Sequence, residues 1–162
     1  MFNDELQRLA QEVGELLIAK KQILTFAESC TGGLASALMT DIAGSSAYFD
    51  SGLVVYSNQA KQDLLNVQAS TLEQFGAVSK QVAKEMALGA LNQGRANIAV
   101  SVTGIAGPDG GSAEKPVGTV CFCWALNQNN AKTETRLFKG TRQEVRTQSV
   151  HAMLTGLKLL LT

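Results

Sequence analysis

The stretch ILTFAESCTGGLASALMTDI, residues 23–42, contains the strand, the turn and the helix from which the fold is predicted. Residues 23–27 are short, apolar and β-prone, which predicts a buried strand. Residues 34–42 are predicted to form a helix. The segment between them, residues 28–33, therefore places Ser29 at a strand-to-helix turn that contains two glycines.

The rest of the chain continues this alternation of helices and strands. Leucines and a valine at helical spacing predict a first helix over residues 4–20. The remaining predicted elements are a strand over 49–56, a short helix from Asn58, a helix over 78–91 capped by Ser79, a strand over 98–102, a loop over 103–116, paired strands over 117–126 and 132–138, and a long helix over 142–161. We therefore predict a single α/β domain over residues 1–162, a three-layer α/β/α arrangement with a mixed sheet.

Composition excludes several classes of protein. Hydrophobic residues make up 45% of the chain, which excludes intrinsic disorder. The 14 basic and 14 acidic residues balance, so no broad surface for nucleic acid or an anionic membrane is expected. The three cysteines do not resemble a disulfide framework, and the charged N-terminal segment is not a signal peptide. No apolar run approaches a membrane span, so we expect a cytoplasmic protein without a membrane partner.

Three polar, glycine-bearing or lysine-bearing segments follow predicted strands. They read ESCTGG (28–33), YSNQAK (56–61) and TGIAGPDGG (103–111). Ligands of open α/β sheets bind beyond the carboxyl ends of the strands. If the three strands are neighbours, these segments meet and form one site.

Ser29 is the candidate nucleophile of that site. The backbone N–H groups of Thr31, Gly32 and Gly33 are expected to be free at a helix start, where they favour a phosphate or the oxyanion of acyl transfer. The alternative is that Ser29 or Thr31 only caps the helix. The nucleophile elbow of α/β-hydrolases is absent, because Ala27 stands where that motif has glycine.

A serine nucleophile needs a base, and the chain has one histidine, His151, in its C-terminal helix. A Ser-His-Asp triad is therefore disfavoured, whereas a desolvated lysine can lose its proton and act as the base. Lys61 is the candidate, because it lies in the short helix after the second strand. The alternative is a solvated surface lysine. Tyr56 and Asn58 are candidates to orient the base or a substrate carboxamide. The alternative is that they are only a strand end and a helix cap.

The glycine-rich segment 103–111 has four glycines among nine residues, which suits close approach of a phosphate or a flat ring, with Gly104 and Gly107 as candidate contacts. It matches neither a P-loop nor a dinucleotide fingerprint, and a plain turn-rich loop is the alternative. Thr103 could supply a hydroxyl, and Arg142 could hold a phosphate or be a surface arginine.

Two other chemistries are weaker. Cys30 at a helix start could be a thiolate, although buried packing explains it better. The remaining cysteines and the histidine lack metal-ligand spacing, and no carboxylate cluster suggests magnesium. We expect no metal and no cofactor.

Taken together, several segments closely resemble the CinA-type C-terminal domain, the nicotinamide-nucleotide amidase family. They are AESCTGG (27–33), DIAGSSAYFDSGLVVYSNQAK (41–61), GAVS (76–79), SVTGIAGPDGGSAEKPVGTV (101–120) and GTR (140–142). The resemblance covers nearly the whole chain and implies hydrolysis of nicotinamide mononucleotide to nicotinate mononucleotide and ammonia, without a metal. It implies Ser29 as nucleophile and Lys61 as general base, with Tyr56 and Thr103 as supporting hydroxyls and Arg142 as a phosphate contact.

The resemblance also leads us to expect the stand-alone form of this domain, without a larger N-terminal domain. We expect a homo-oligomer, since the apolar segment LKLLL (157–161) suggests an interface, although core packing explains it equally well. The alternative functions are a non-catalytic nucleotide-binding or regulatory module, and an amidase or esterase with another substrate preference.

Overall fold

The computed structural model describes all residues from 1 to 162. Helices and strands alternate along most of the chain, in the order α1 (Asp4–Ala19), β1 (Leu24–Glu28), α2 (Leu34–Thr40), a 3-10 turn (Ser45–Ala47), β2 (Phe49–Val54), α3 (Asn58–Leu65), α4 (Ala69–Phe75), α5 (Lys80–Leu91), β3 (Ile98–Gly104), β4 (Thr119–Asn127), β5 (Asn130–Leu137) and α6 (Arg142–Leu161). None of these helices is both long and apolar enough to cross a lipid bilayer.

The five strands form one mixed sheet in the order β2-β1-β3-β4-β5. β1 lies between β2 and β3 and is parallel to both, whereas β4 and β5 are antiparallel additions. The register pairs Glu28 at the end of β1 with Val54 of β2 and Val102 of β3. The predicted mixed sheet is therefore confirmed, and the segments that follow β1, β2 and β3 leave the sheet at the same end.

Helices cover both faces of the sheet. α1, α2 and α6 enclose an apolar cluster of 25 buried residues on one face, and α3 and α5 enclose one of 13 on the other. β1 is buried along its whole length because it has helices above and below it. α6 is fixed by the Trp124 indole, which donates to Met153 O at 2.9 Å and packs where Gly156 leaves room. The predicted three-layer arrangement is confirmed.

Most predicted elements are present, with differences at their ends. β2 ends at Val54 rather than at residue 56, while β3 continues to Gly104. The sequence analysis did not predict α4, which buries none of its residues and has no side-chain cap. Its local sequence therefore carries little of the apolar periodicity from which helices are recognised.

Candidate functional site

Ser29 and Lys61 lie in contact at the carboxyl end of the sheet. Ser29 directly follows β1, and Lys61 lies in α3, whose start is capped by the Ser57 side chain. The Lys61 Nζ lies 3.0 Å from Ser29 Oγ and 3.0 Å from Tyr56 O. Lys61 is 1% exposed and Ser29 is 6% exposed, so the pair is almost completely shielded from solvent.

The surroundings of Lys61 favour its neutral form. Burial lowers the pKa of Lys61 from its usual value of 10.5, against a smaller opposing effect of Cys30. No carboxylate forms an ion pair with its ammonium group. When Lys61 is neutral, the Ser29 hydroxyl can donate to Nζ while one N–H of Nζ donates to Tyr56 O. This is the arrangement in which a lysine can take a serine proton.

A cavity of about 310 Å³ opens beside this pair. Eight of the predicted site residues line it, namely Ser29, Tyr56, Asn58, Lys61, Thr103, Gly104, Gly107 and Arg142. Six others were not predicted as site residues from the sequence, namely Cys30, Ala77, Val78, Ile105, Ala106 and Asp109. The loops after β1, β2 and β3 do converge, as expected if their strands were neighbours.

A cavity of about 950 Å³ lies elsewhere, between α1 and residues 41–48. It contains neither Ser29 nor Lys61, and its lining has no nucleophile beside a base. The smaller cavity is therefore the candidate active site on chemical grounds, although it is not the largest. No three histidine, cysteine, aspartate or glutamate side chains lie where they could hold a metal ion together.

Thr103 faces the cavity from the end of β3, but its hydroxyl hydrogen is used within the protein. Thr103 Oγ1 donates to Ala77 O at 3.0 Å, which fixes the segment before α5 against the end of β3. The role of Thr103 as a supporting hydroxyl of the site stays a prediction. The oxygen can still accept a hydrogen bond from a group in the cavity.

Arg142 and Tyr56 form a bridge across the cavity. The Arg142 guanidinium donates through Nη1 to Gly107 O at 2.8 Å and through Nη2 to the Tyr56 hydroxyl at 3.1 Å. Arg142 is the first residue of α6, which begins with a capping box formed by Thr141 and Glu144. This helix start joins the glycine-rich loop to the segment after β2, and it keeps a positive charge in the cavity wall.

The segment over residues 28–33, here called the Ser29 turn, differs from the sequence prediction in its backbone. The N–H of Gly32 donates to Ser29 O at 3.0 Å, so it is not free. Gly32 and Gly33 have positive φ values, which other residues rarely adopt. Thr31, Gly32 and Gly33 are not among the residues that line the cavity, and their contact with a substrate stays a prediction.

Glu28 occupies the helix start that was expected to attract a ligand. Its carboxylate is fully buried and accepts four hydrogen bonds, from Thr31 Oγ1 at 2.6 Å, Ala35 N at 3.0 Å, Ser36 N at 2.9 Å and Ser36 Oγ at 2.6 Å. A carboxylate at this position is stabilised by the partial positive charge of the helix N-terminus. The anion at the start of α2 is therefore part of the protein.

Arg146 holds the opposite side of the Ser29 turn. It lies one helical turn after Arg142, and donates through Nε to Cys30 O at 3.1 Å and through Nη2 to Thr31 O at 3.0 Å. Sequence reasoning missed both Glu28 and Arg146. An acidic residue at the end of the strand that precedes α2 is a local signal for Glu28, whereas Arg146 is 116 positions from Cys30 and has no local signal.

Cys30 and His151 do not provide an alternative centre. Burial raises the pKa of Cys30 to about 12, so its thiol stays protonated near neutral pH. All three cysteines are free and buried. The His151 ring lies on α6 beside Glu5, with Nε2 3.2 Å from the Glu5 carboxylate, and does not line the cavity.

Comparisons with known proteins agree with this fold and show the family to which the chain is related. A family model described as the CinA C-terminal domain matches residues 6–161. The chain is 55% identical to a nicotinamide-nucleotide amidohydrolase PncC of Enterobacter agglomerans, over 98% of this chain and 97% of that protein. It is 52% identical to the protein of the same name from Escherichia coli K12, over 92% and 90% of the two chains. The crystal structure of the competence/damage inducible protein CihA from Agrobacterium tumefaciens superposes with a TM-score of 0.94 at 45% identity, covering 99% and 98%.

Proposed function

The chain belongs to the CinA C-terminal domain family, and from this premise we propose that it is an amidohydrolase converting nicotinamide mononucleotide to nicotinate mononucleotide and ammonia. Relatives that are 52–55% identical along most of the chain are named nicotinamide-nucleotide amidohydrolase, which supports an amidase acting on this class of nucleotide. The single observation that carries the chemistry is the buried 3.0 Å contact between Lys61 Nζ and Ser29 Oγ.

Ser29 attacks the carboxamide carbon while neutral Lys61 takes the hydroxyl proton. The new bond joins Ser29 Oγ to the carbonyl carbon, and the carbonyl electron pair moves to its oxygen. The carbonyl oxygen of Tyr56 keeps Nζ in place, since it accepts one of its N–H groups at 3.0 Å. Protonated Lys61 can then give its proton to the departing nitrogen.

The backbone N–H of Cys30 is the candidate donor for the tetrahedral oxyanion. Cys30 lines the cavity, and its N–H donates to no other residue of the chain, its one partner being the Cys30 thiol itself. The N–H of the residue after the nucleophile has the same role in other serine hydrolases. One such donor lowers the barrier by about 3 kcal/mol.

Collapse of the tetrahedral intermediate breaks the C–N bond and releases ammonia, leaving an ester between Ser29 and the nicotinate carbonyl. A water molecule then attacks that ester, with Lys61 again taking a proton. The second collapse breaks the bond to Ser29 Oγ and returns the proton to Ser29. The balance is one amide and one water in, and one carboxylic acid and one ammonia out.

The walls of the cavity suggest how the nucleotide is held. The Thr103 oxygen can accept an N–H of the carboxamide, because its own hydrogen is donated to Ala77 O. Arg142 provides the positive charge that binds the phosphate. Asn58 and the glycine-rich loop line the same cavity as Arg142 and Ser29. Binding of the remote phosphate helps to position the carboxamide, so free nicotinamide is expected to be a poor substrate.

Ammonia release from nicotinamide mononucleotide by the wild type and by Ser29→Ala, Lys61→Ala and Cys30→Ser tests the proposal. Ser29→Ala and Lys61→Ala should lose nearly all activity, while Cys30→Ser keeps most of it. An active Ser29→Ala with an inactive Cys30→Ser would identify Cys30 as the nucleophile instead. Thermal stabilisation by the nucleotide without turnover would favour a binding module, and turnover of other amides only would favour a different amidase.

The remaining expectations are part of the same proposal. Three free cysteines suit a reducing cytoplasm, where the nucleotide substrate is expected. Leu159 and Leu160 at the end of α6 are exposed and offer a surface for a second copy of the chain. Light scattering on the purified protein measures the oligomeric state directly, and a monomer would refute this part.

A further inference from the structure

Arg146 is not among the residues that line the candidate active site, yet it holds the peptide backbone next to Ser29. Its side chain reaches from α6 to the Ser29 turn and donates to Cys30 O and Thr31 O. We propose that Arg146 is a positioning residue of the amidase, which sets the direction of the Cys30 N–H. This inference rests on the proposed function, because it assigns a purpose to that N–H.

The argument uses the planarity of the peptide bond. In a trans peptide the C=O and the N–H point in opposite directions, so fixing one fixes the other. Arg146 Nη2 and the Leu34 N–H both donate to Thr31 O at 3.0 Å, and together they orient the N–H of Gly32, which shares its peptide plane. The Gly32 N–H in turn donates to Ser29 O at 3.0 Å. Ser29 O and the Cys30 N–H belong to the same peptide plane, so the Cys30 N–H points in the direction opposite to the Ser29 carbonyl.

Other groups fix the two ends of the turn, and Arg146 holds the middle together with the Leu34 N–H. The Ser29 N–H donates to Val102 O at 3.0 Å and ties the start of the turn to β3. The Glu28 carboxylate accepts from Thr31 Oγ1 and from the first residues of α2, and it ties down the end. Between these anchors, the carbonyl of Cys30 has no donor within the chain other than Arg146.

A planar guanidinium fits this task, because two of its N–H groups reach two neighbouring carbonyls at once. A lysine ammonium would be a single point charge and could not hold both in the same geometry. Donors aimed at an oxyanion act in the transition state more than in the bound substrate. Loss of Arg146 should therefore reduce kcat and leave KM nearly unchanged.

The experiment measures kcat and KM for nicotinamide mononucleotide with the wild type, Arg146→Ala, Arg146→Lys and a control, Arg136→Ala. Arg136 lies on β5, paired with Glu134 and outside the cavity lining, so its loss removes an arginine without touching the Ser29 turn. For Arg146→Ala we expect kcat to fall about 100-fold, the size of effect that misplacement of a reacting group produces. KM should stay within about twofold.

Two readouts separate this role from simple loss of structure. Guanidinium ion, added at concentrations too low to unfold the protein, should raise the kcat of Arg146→Ala and leave Arg136→Ala unchanged. The pH at which kcat is half-maximal should not move in either variant, because Lys61 is not in contact with Arg146. Arg146→Lys should lose about tenfold in kcat, between the wild type and Arg146→Ala.

The inference is overturned if Arg146→Ala keeps wild-type kcat, if its loss appears in KM, or if kcat falls without any rescue by guanidinium. Should Arg146→Ala not fold, Arg146→Lys decides the matter, and wild-type kcat in that variant refutes the inference. A wild type that releases no ammonia would refute the proposed function as well. Activity that depends on Ser29 but not on Arg146 would refute this inference alone.

Discussion

The replacement Lys61→Met is the sharpest perturbation of the proposed chemistry. Methionine is close to lysine in length and fills the same buried space, but it has no amine to accept a proton. Loss of a general base costs 10²-fold to 10⁴-fold, and Ser29 has no other base in contact, so we expect kcat to fall about 10³-fold or more. Release of ammonia from nicotinamide mononucleotide measures this loss.

The same replacement should change how stability depends on pH. Burial lowers the pKa of Lys61 in the folded protein, while the unfolded chain titrates near the usual value of 10.5. Between the two pKa values the unfolded state holds more protons, so the free energy of unfolding rises with pH. The contribution is at most about 1.4 kcal/mol per pH unit. The free-energy cost of burying a charged Lys61 is present in full below its lowered pKa in the folded protein. This cost is lost as pH rises through the pKa of the lysine in the unfolded chain.

Urea unfolding at several pH values from neutral to about 10 measures this slope in the wild type and in Lys61→Met. The variant should lack the rise, whatever constant change in stability follows from its lost hydrogen bonds. Lys139→Met is the matched control, because Lys139 is an exposed lysine outside the cavity. Equal slopes in the wild type and Lys61→Met would show that Lys61 is not desolvated, and substantial activity in Lys61→Met would refute its role as the base.

Three further outcomes follow from the contacts around the site. The value of kcat/KM should rise with pH through the lowered pKa of Lys61, because only the neutral amine accepts the Ser29 proton; a profile that falls over the same range would contradict this. Cys30 should react slowly with iodoacetamide near neutral pH, since burial raises its pKa to about 12, and rapid labelling with loss of activity would contradict the structure. Glu28→Gln should lower the free energy of unfolding by about 3 kcal/mol in urea, because an amide nitrogen cannot accept from the buried donors around it; a loss below about 1 kcal/mol would show that they find other partners.

Local patterns in the chain were sufficient for much of the fold. The apolar run before Ser29 predicted β1, and the alternation of helices and strands predicted a layered domain with a mixed sheet, since each pattern reports which face of an element is buried. The same patterns failed for α4, which has no fully buried residue and so leaves little periodicity to recognise. They also placed the end of β2 two residues late, because strand ends depend on which backbone groups find a partner.

The candidate pair of the site was chosen from the sequence by elimination and by resemblance to a family. The only histidine lies in the C-terminal helix, which favours a lysine as the base. Lys61 is the candidate because it lies in the short helix that follows the second strand. The contact between Ser29 and Lys61 required the sheet order, because it depends on β1 and β2 being parallel neighbours. Their mutual distance is a property of the folded chain.

Sequence alone thus determined the types of residue available, the order of the elements and the segments that could carry chemistry. Tertiary structure decided which of these groups are free. The Glu28 carboxylate accepts hydrogen bonds at the start of α2, and the Thr103 hydroxyl donates to Ala77 O. Arg146 of α6 donates to the Ser29 turn. The physical reason is that hydrogen bonds between distant segments depend on position in space, whereas sequence patterns report local periodicity and burial.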